Sequence, residues 1–355
     1  MQPVPVSIIT GFLGAGKTTL LNKILASGTL TDAAIIINEF GDVGIDHLLV
    51  ETSDEGIVEL SDGCLCCTIR GDLVDTLTRL INRHREVAPI SRIVVETTGL
   101  ADPAPILHAV MGHPMLERAL HLDGVITVVD AINGMATLDA HEEAVKQVAM
   151  ADRVIVTKQK QGETDNALVE RLRALNPNAK IIWPDTKEQV SGLLFGCGLF
   201  DPETKSLDVQ RWLGEEAHNH DHHHHHDVNR HDSRIRAFTL KSDNAVSASA
   251  LATFIDLLRS AHGPNLLRVK GIVKVAEQPE RPVVIHGVQE VFHPPATLNK
   301  WPDDDHQTRL VLITRDLSED FVRKLFDAFM GHVATDTADT EALDNNPLSV
   351  PGWSA

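Results

Sequence analysis

Eight residues fix the topology around them. Gly11-Phe12-Leu13-Gly14-Ala15-Gly16-Lys17-Thr18 fit the pattern G-x-x-x-x-G-K-[ST], a loop whose backbone N–H groups cradle phosphates. The pattern works only between a strand and a helix. The flanks supply both: an apolar run from Val6 to Ile9 before it, and a helical pattern from Thr19 to Ala26 after it. Glycines let the backbone curl so that successive N–H groups converge on one anion. The helix N-terminus behind them adds positive potential. Lys17 is expected to reach the β- and γ-phosphates and the Thr18 hydroxyl to bind Mg²⁺, with Gly11, Gly14, Ala15, Gly16 and Thr19 completing the cradle. A glycine-rich turn with no ligand is the alternative, and the complete match in the right context argues against it.

Such a loop belongs in a parallel sheet, and the first half of the chain reads that way. Candidate strands are Val6–Thr10, Ala33–Asn38, Ile93–Glu96, Gly124–Val129, Arg153–Thr157 and Lys180–Trp183, separated by amphipathic stretches such as Leu73–Arg83 and Asn166–Leu175. Near-continuous apolar strands alternating with helices predict an α/β, doubly wound, mostly parallel sheet over residues 1–195. Ligands of such sheets bind at the carboxyl ends of strands, where Thr10–Gly11, Asn38–Glu39 and Glu96–Thr97 fall. Residues 196–233 read as a linker, because 214–233 lose apolar periodicity and carry five consecutive histidines from His222 to His226. Residues 234–331 are a second, smaller α+β unit: strand Ile235–Leu240, helix Val246–His262, strands Leu266–Val275, Val283–His286 and Arg309–Thr314, helix Ser318–Met330. Antiparallel strands with helices on one face suit that order. Residues 332–355 read as a polar tail.

The balance of charge narrows the partners. A net charge of −18 over 355 residues argues against nucleic acid, which needs a basic surface. No apolar run approaches the roughly 18 residues of a membrane helix, and the N-terminus lacks the marks of a signal peptide. Four cysteines in so long a chain are no disulfide framework. Three of them crowd into Cys64, Cys66 and Cys67, a pattern of metal or redox chemistry in a reducing compartment. A cytoplasmic protein is expected.

Three further features carry chemistry. Ile93-Val94-Val95-Glu96-Thr97-Thr98-Gly99 puts Glu96 at the end of an apolar strand, where an acid near Mg²⁺ or the attacking water belongs, and Gly99 would let the backbone approach the γ-phosphate. Cys64, Cys66 and Cys67 offer soft thiolates suited to Zn²⁺ or Cu⁺, with an oxygen ligand from Glu39 or Asp42. Buried hydrophobes and redox thiols are the competing readings of that cluster. The tract His218, His220, His222, His223, His224, His225, His226 and His231 offers imidazoles for Zn, Ni, Co or Cu without fixed geometry, so it would buffer metal, unless it is a solvated linker. Cys197, Trp183, His108 and His113 read as packing or surface residues.

These residues together resemble the CobW-type GTPases, relatives of the nickel-delivering GTPases of urease and hydrogenase maturation. The resemblance is carried by residues 11–19, Asn38-Glu39-Phe40-Gly41, Gly63-Cys64-Leu65-Cys66-Cys67, Glu96 to Pro103 and Val128-Val129-Asp130-Ala131. It continues through Leu267 to Gly271, His286 to Gln289, Trp301 to Asp305 and Thr308 to Val311. It implies a cytosolic metallochaperone GTPase with GTP as substrate, Mg²⁺ as cofactor and Zn²⁺ or Co²⁺ as cargo held by Cys64, Cys66 and Cys67. Asn38 and Glu39 correspond to the family's asparagine–glutamate element. It also implies a guanine-reading Asn/Thr-Lys-x-Asp motif after the strand ending at Val156. Here Thr157 and Lys158 fit, while Lys160 stands in place of the Asp. A donor-only cation facing two donors of guanine is expected to relax base choice, at a cost of roughly 1–3 kcal/mol, unless Asp165 substitutes. The expected partners are a client metalloprotein and, in a nucleotide- or metal-dependent way, a second copy of the chain. A metal storage or sensing protein with a degenerate nucleotide site is the alternative. A small-molecule kinase ranks last, because no acceptor pocket is visible.

Overall fold

The computed structural model describes residues 3–28, 30, 32–37, 57–59, 68–87, 89–159, 166–184, 194–196 and 234–331. The first sheet holds seven parallel strands: β1 Val4–Gly11, β2 Ala33–Ile37, β3 Ile57–Glu59, β4 Arg92–Glu96, β5 Leu120–Asp130, β6 Arg153–Thr157 and β7 Lys180–Ile182. Their spatial order is β3-β2-β4-β1-β5-β6-β7. Central β1 therefore has β4 on one side and β5 on the other, and the crevice of a doubly wound sheet opens beyond its carboxyl end. The helices are α1 Lys17–Ala26, α2 Thr68–Glu86, α3 Ala104–Gly112, α4 Gly134–Ala140, α5 Glu142–Ala149 and α6 Asn166–Leu175.

Alternate residues of the buried strands feed opposite faces. Ile9, Ile35, Val94, Ile126, Val128 and Ile155 pack with Leu20, Leu21 and Ile24 of α1. Val6, Ile8, Ile36, Val95, Val125 and Val129 join the larger core with α2 to α6. α3 is apolar nearly all round, with Ala104, Ile106, Leu107, Ala109, Val110 and Met111 buried. A helix with no polar face must be covered on every side, and this one lies between two sheets. That is why its sequence gives no amphipathic signal.

The second sheet consists of β8 Ile235–Ser242, β9 Leu266–Val273, β10 Val283–Val288, β11 Val291–Phe292, β12 Ala296–Thr297 and β13 Thr308–Arg315. Its pairings are antiparallel, in the order β11-β10-β9-β13-β8 with β12 on β10. One face carries α7 Ala248–His262 and α8 Glu319–Phe329, through Phe254, Leu258, Val322 and Phe326 against Phe238, Leu240, Leu310 and Leu312. Both helices start one or two residues later than the sequence pattern suggests, because Ser247 and Ser318 are N-caps: their side chains accept from the N–H groups of Ala250 and Phe321, satisfying otherwise orphaned donors.

The opposite face of that sheet is also covered. Ile235, Leu267, Val288 and Ile313 belong to the same core as the first sheet, with α3 on β10 and β11, α5 on β9 and α6 on β8. A bulge makes this fit. Ile313 pairs with Arg268 and Thr314 with Leu266, leaving Leu267 as the extra residue, so Leu267 and Arg268 are both re-aimed at the first unit. All eight residues of β9 are buried although two are Arg268 and Lys270. Their charges meet Asp152, the residue just before β6, whose side chain is 5% exposed. Arg268 Nη2 donates to both its oxygens at 2.8 Å, Lys270 Nζ also donates to it, and the Val125 N–H donates at 2.8 Å.

Candidate functional site

The loop from Gly11 to Gly16 leaves β1 and enters α1 directly. Gly11 has φ +140°, and a Cβ there would lie 2.3 Å from the Val128 carbonyl oxygen of neighbouring β5, so only glycine lets the loop start against that strand. Gly14 and Gly16 follow at φ +72° and +97°. The Ala15 N–H donates to Phe12 O at 3.1 Å and closes the turn. α1 has no side-chain N-cap, so its first N–H groups turn to the loop as an anion site. Lys17, 8% exposed, folds over the loop with Nζ 3.4 Å from Phe12 O. Thr19 is exposed at the start of the helix.

Because β4 lies beside β1, Glu96 stands next to this loop. The Thr18 hydroxyl donates to Glu96 Oε1 at 2.7 Å, and the acid is 3% exposed. With its proton committed to Glu96, the Thr18 oxygen keeps its lone pairs for a ligand. The chain then turns through Thr97, whose hydroxyl contacts that of Thr10 at 2.8 Å, and passes over the P-loop tip. A Cβ on Gly99 would lie 2.6 Å from Leu13 N and 2.7 Å from Leu13 Cα. The two loops touch backbone to backbone, which a larger residue would prevent.

On the other side of β1, Thr157 at the end of β6 donates to Ala15 O at 2.6 Å and also reaches Val129 O at 3.2 Å. It ties the P-loop to the strand ends. Lys158 adopts φ +56°, held there by its ammonium donating to Asp130 Oδ2 at 2.9 Å. Burial alone would raise the Asp130 pKa. Hydrogen bonds from Lys158, from the Asn133 side chain and from the Ile132 N–H outweigh it and hold the carboxyl below the usual range. A cavity of about 110 Å³ opens here, lined by Phe12, Gly14, Asp130, Asn133, Gln147 and Lys158. Phe12 stacks on His141 at 4.3 Å beside it.

The structure thus brings together Gly11, Gly14, Ala15, Gly16, Lys17, Thr18, Glu96, Gly99, Thr157 and Lys158. Glu39, Asp42, Cys64, Cys66, Cys67, Lys160, Asp165, Cys197 and the tract from His218 to His231 lie outside the described residues. Among the described residues no group of three or more His, Cys, Asp or Glu side chains could hold a metal ion. His108 is a packing residue, buried with Nε2 3.2 Å from Val288 O, and Trp183 packs partly buried against the large core. Two residues of the site were given no role by the sequence reading. Asp130 ends an apolar strand as Glu96 does, and the same rule would have found it. Gln147 is a fully buried polar side chain on the apolar face of α5, and its anomaly there was the available signal.

The model of the CobW/HypB/UreG nucleotide-binding domain matches residues 5–183, and that of the cobalamin synthesis protein CobW C-terminal domain matches residues 235–330. The zinc chaperone YjiA of Escherichia coli is 31% identical over 328 residues, covering 92% of this chain and 98% of its own. The zinc chaperone CobW of Pseudomonas aeruginosa is 30% identical over 355 aligned residues, covering 90% of this chain and 89% of its own. The crystal structure of zinc-bound YjiA GTPase from E. coli superposes with a TM-score of 0.67 at 25% identity, covering 93% of this chain and 99% of that one. With half its residues matched by that nucleotide-binding model and nearly its whole length shared with a relative of this identity, the chain belongs to the CobW/HypB/UreG family.

Proposed function

We propose that this chain is a GTPase whose nucleotide cycle is coupled to binding zinc and delivering it to a client metalloprotein in the cytoplasm. The observation that carries the nucleotide half is the hydrogen bond of 2.7 Å between Thr18 in the P-loop and the buried Glu96 at the end of the neighbouring strand. A hydroxyl and a carboxylate converging beside a phosphate cradle suit a hard, oxygen-seeking cation such as Mg²⁺. Thr18 would hold it directly and Glu96 would hold it or its water. The ion, when bound, neutralises charge on the phosphates.

The chain's own residues do the rest. The amides of Gly14 and Gly16 and the Lys17 ammonium bind the phosphates, around the turn that the Ala15 N–H closes on Phe12 O. Gly99 brings the loop after β4 to the terminal phosphate. The stem of Lys158 lies along the base, while Asp130 fixes its head. Zinc is the cargo that the names of the two zinc chaperones favour, with Cys64, Cys66, Cys67 and Glu39 as its ligands, cobalt as the second choice, and the histidine tract as a metal buffer. γ-Phosphate contacts would order the loops that carry these ligands, and hydrolysis would release them. The intact cradle supports this reading over a degenerate nucleotide site.

The test is a titration of Zn²⁺ and Co²⁺ against a competing chelator, with and without Mg²⁺–GTP and Mg²⁺–ATP. One nucleotide is expected to tighten a single stoichiometric site by about tenfold or more, roughly 1.4 kcal/mol of coupling. Metal affinity that ignores both nucleotides would reject the chaperone cycle in favour of storage, and the effective nucleotide would settle what Lys160 does to base choice.

A further inference from the structure

The loop after β4 is held from behind by one side chain of α5. Gln147 is fully buried, and its amide Nε2 donates to the carbonyls of Gly99 at 3.2 Å and Ala101 at 3.0 Å. Its own backbone carbonyl accepts from the Thr127 hydroxyl at 2.7 Å, which fastens this part of α5 to β5. Among the described residues its Oε1 meets no hydrogen-bond donor, and the side chain lines the cavity beneath the P-loop. A buried amide with one half doubly used and the other half unpaired costs stability for nothing gained in packing, so packing alone does not account for a glutamine here. The preceding residue grips the same loop: Lys146 Nζ meets Asp102 Oδ2 at 3.2 Å, while Asp102 Oδ1 caps α3 through the Ala104 N–H at 2.9 Å.

The geometry has one direct consequence. In a trans peptide the C=O and the following N–H point opposite ways. Pinning the Gly99 carbonyl to α5 therefore turns the Leu100 N–H away from α5, and it fixes the segment whose Gly99 leaves no room for a Cβ against Leu13 of the P-loop. We propose that Gln147 is a positioning residue for nucleotide hydrolysis: its two donated hydrogen bonds hold the 99–102 loop in the conformation that faces the terminal phosphate. It touches neither nucleotide nor metal. The proposal rests on the nucleotide reading above and names the part of the fold that makes its loop competent. A loop that differs between the triphosphate and diphosphate states would exchange these bonds, so their loss should reach the chemical step more than ground-state binding.

The experiment uses the full chain and Mg²⁺–GTP, in four forms: wild type, Lys17→Ala, Gln147→Met and Gln147→Glu. Met keeps the volume without donors. Glu keeps the shape but sets an oxygen against two carbonyl oxygens. The proposal expects kcat to fall by at least about tenfold in both glutamine variants, with KM for GTP and affinity for GDP of the folded protein within about twofold. The Gln147→Glu carboxyl, once protonated, can donate one hydrogen bond, so kcat in that variant should recover partly as pH falls, a profile that wild type lacks. Should Gln147→Met fail to fold, that pH profile decides by itself. Turnover that is lost in Lys17→Ala yet unchanged in both glutamine variants overturns the role of Gln147 and leaves the nucleotide reading standing. A rise in KM with kcat unchanged, or a Gln147→Glu profile parallel to wild type, overturns it too. Turnover indifferent to Lys17→Ala overturns the nucleotide reading and this proposal with it.

Discussion

Asp152→Asn tests how the two sheets are joined. The Asp152 carboxylate sits between units with its side chain 5% exposed, Arg268 4% and Lys270 10%. It accepts from both cations and from the Val125 N–H. Asparagine fits the same space and keeps one oxygen for Val125, but it removes the negative charge that both buried cations face. Breaking a buried ion pair from one side costs about 3–5 kcal/mol, against 0–1 for an exposed pair. Urea unfolding followed by circular dichroism should therefore show the midpoint lowered by that amount divided by the slope, with the slope itself unchanged. A split transition would mean that the two units now open separately. The triple variant Asp152→Asn, Arg268→Met, Lys270→Met removes all three charges and keeps the Val125 acceptor, so it should recover most of the loss. Burial alone would raise the pKa of Asp152, but Arg268 and Lys270 outweigh it and hold the carboxyl well below the ordinary 3.8. A depressed folded-state value means that the stabilisation is complete above the unfolded value and is lost as pH falls from there through the folded one. Asp152→Asn should flatten that acid limb. A loss under about 1 kcal/mol at neutral pH would refute the reasoning, because it would put the cluster on the scale of solvent-screened pairs.

Gly99→Ala places a Cβ 2.6 Å from Leu13 N, so one loop must shift; GTP turnover should drop by tenfold or more, roughly 1.4 kcal/mol, and wild-type kcat would disprove the close approach. Glu96→Gln can still accept from Thr18 but offers no charge to a cation; the Mg²⁺ concentration that half-saturates turnover should rise sharply, and an unmoved Mg²⁺ dependence would remove Glu96 from the site. Cys66→Ala should abolish tight zinc binding while leaving nucleotide affinity intact, checked by chelator competition; unchanged zinc affinity would sink the thiolate assignment. Burial and the nearby Arg268 and Lys270 push the half-buried His286 well below the ordinary 6.5. Unfolded chain therefore binds a proton there before folded chain does, so stability present above 6.5 declines as pH falls below it. His286→Leu should lessen that decline in a pH series of melting temperatures.

Much of the site was legible because its signals are local. Gly11 to Thr18 declare themselves by spacing, and Glu96 by its place after Ile93-Val94-Val95. Gly99 stood out as the glycine of a loop near phosphate. Asp130 ends its strand by the same rule and lies within the Val128 to Ala131 motif, but its role depends on Lys158, which only the fold brings to it. Gln147 was hidden within an eight-residue helix whose role depends wholly on what lies against it. α3 escaped because a helix covered on all sides has no polar face to set a period.

By itself, the sequence determined six of the seven parallel strands of the first unit, all but β3, the phosphate loop between β1 and α1, and the order of the longer strands and helices of the second unit, without β11 and β12. Local propensity and side-chain periodicity specify these, and both act over a few residues. Only tertiary structure decided the rest. The order β3-β2-β4-β1-β5-β6-β7 sets β4 against β1, and through that adjacency Glu96 meets Thr18, 78 residues away. The bulge at Leu267 turns Arg268 toward Asp152 across a separation of 116 residues. Contacts at such separations are fixed by which apolar faces can cover one another, and that choice is made by the whole chain at once rather than by any segment of it.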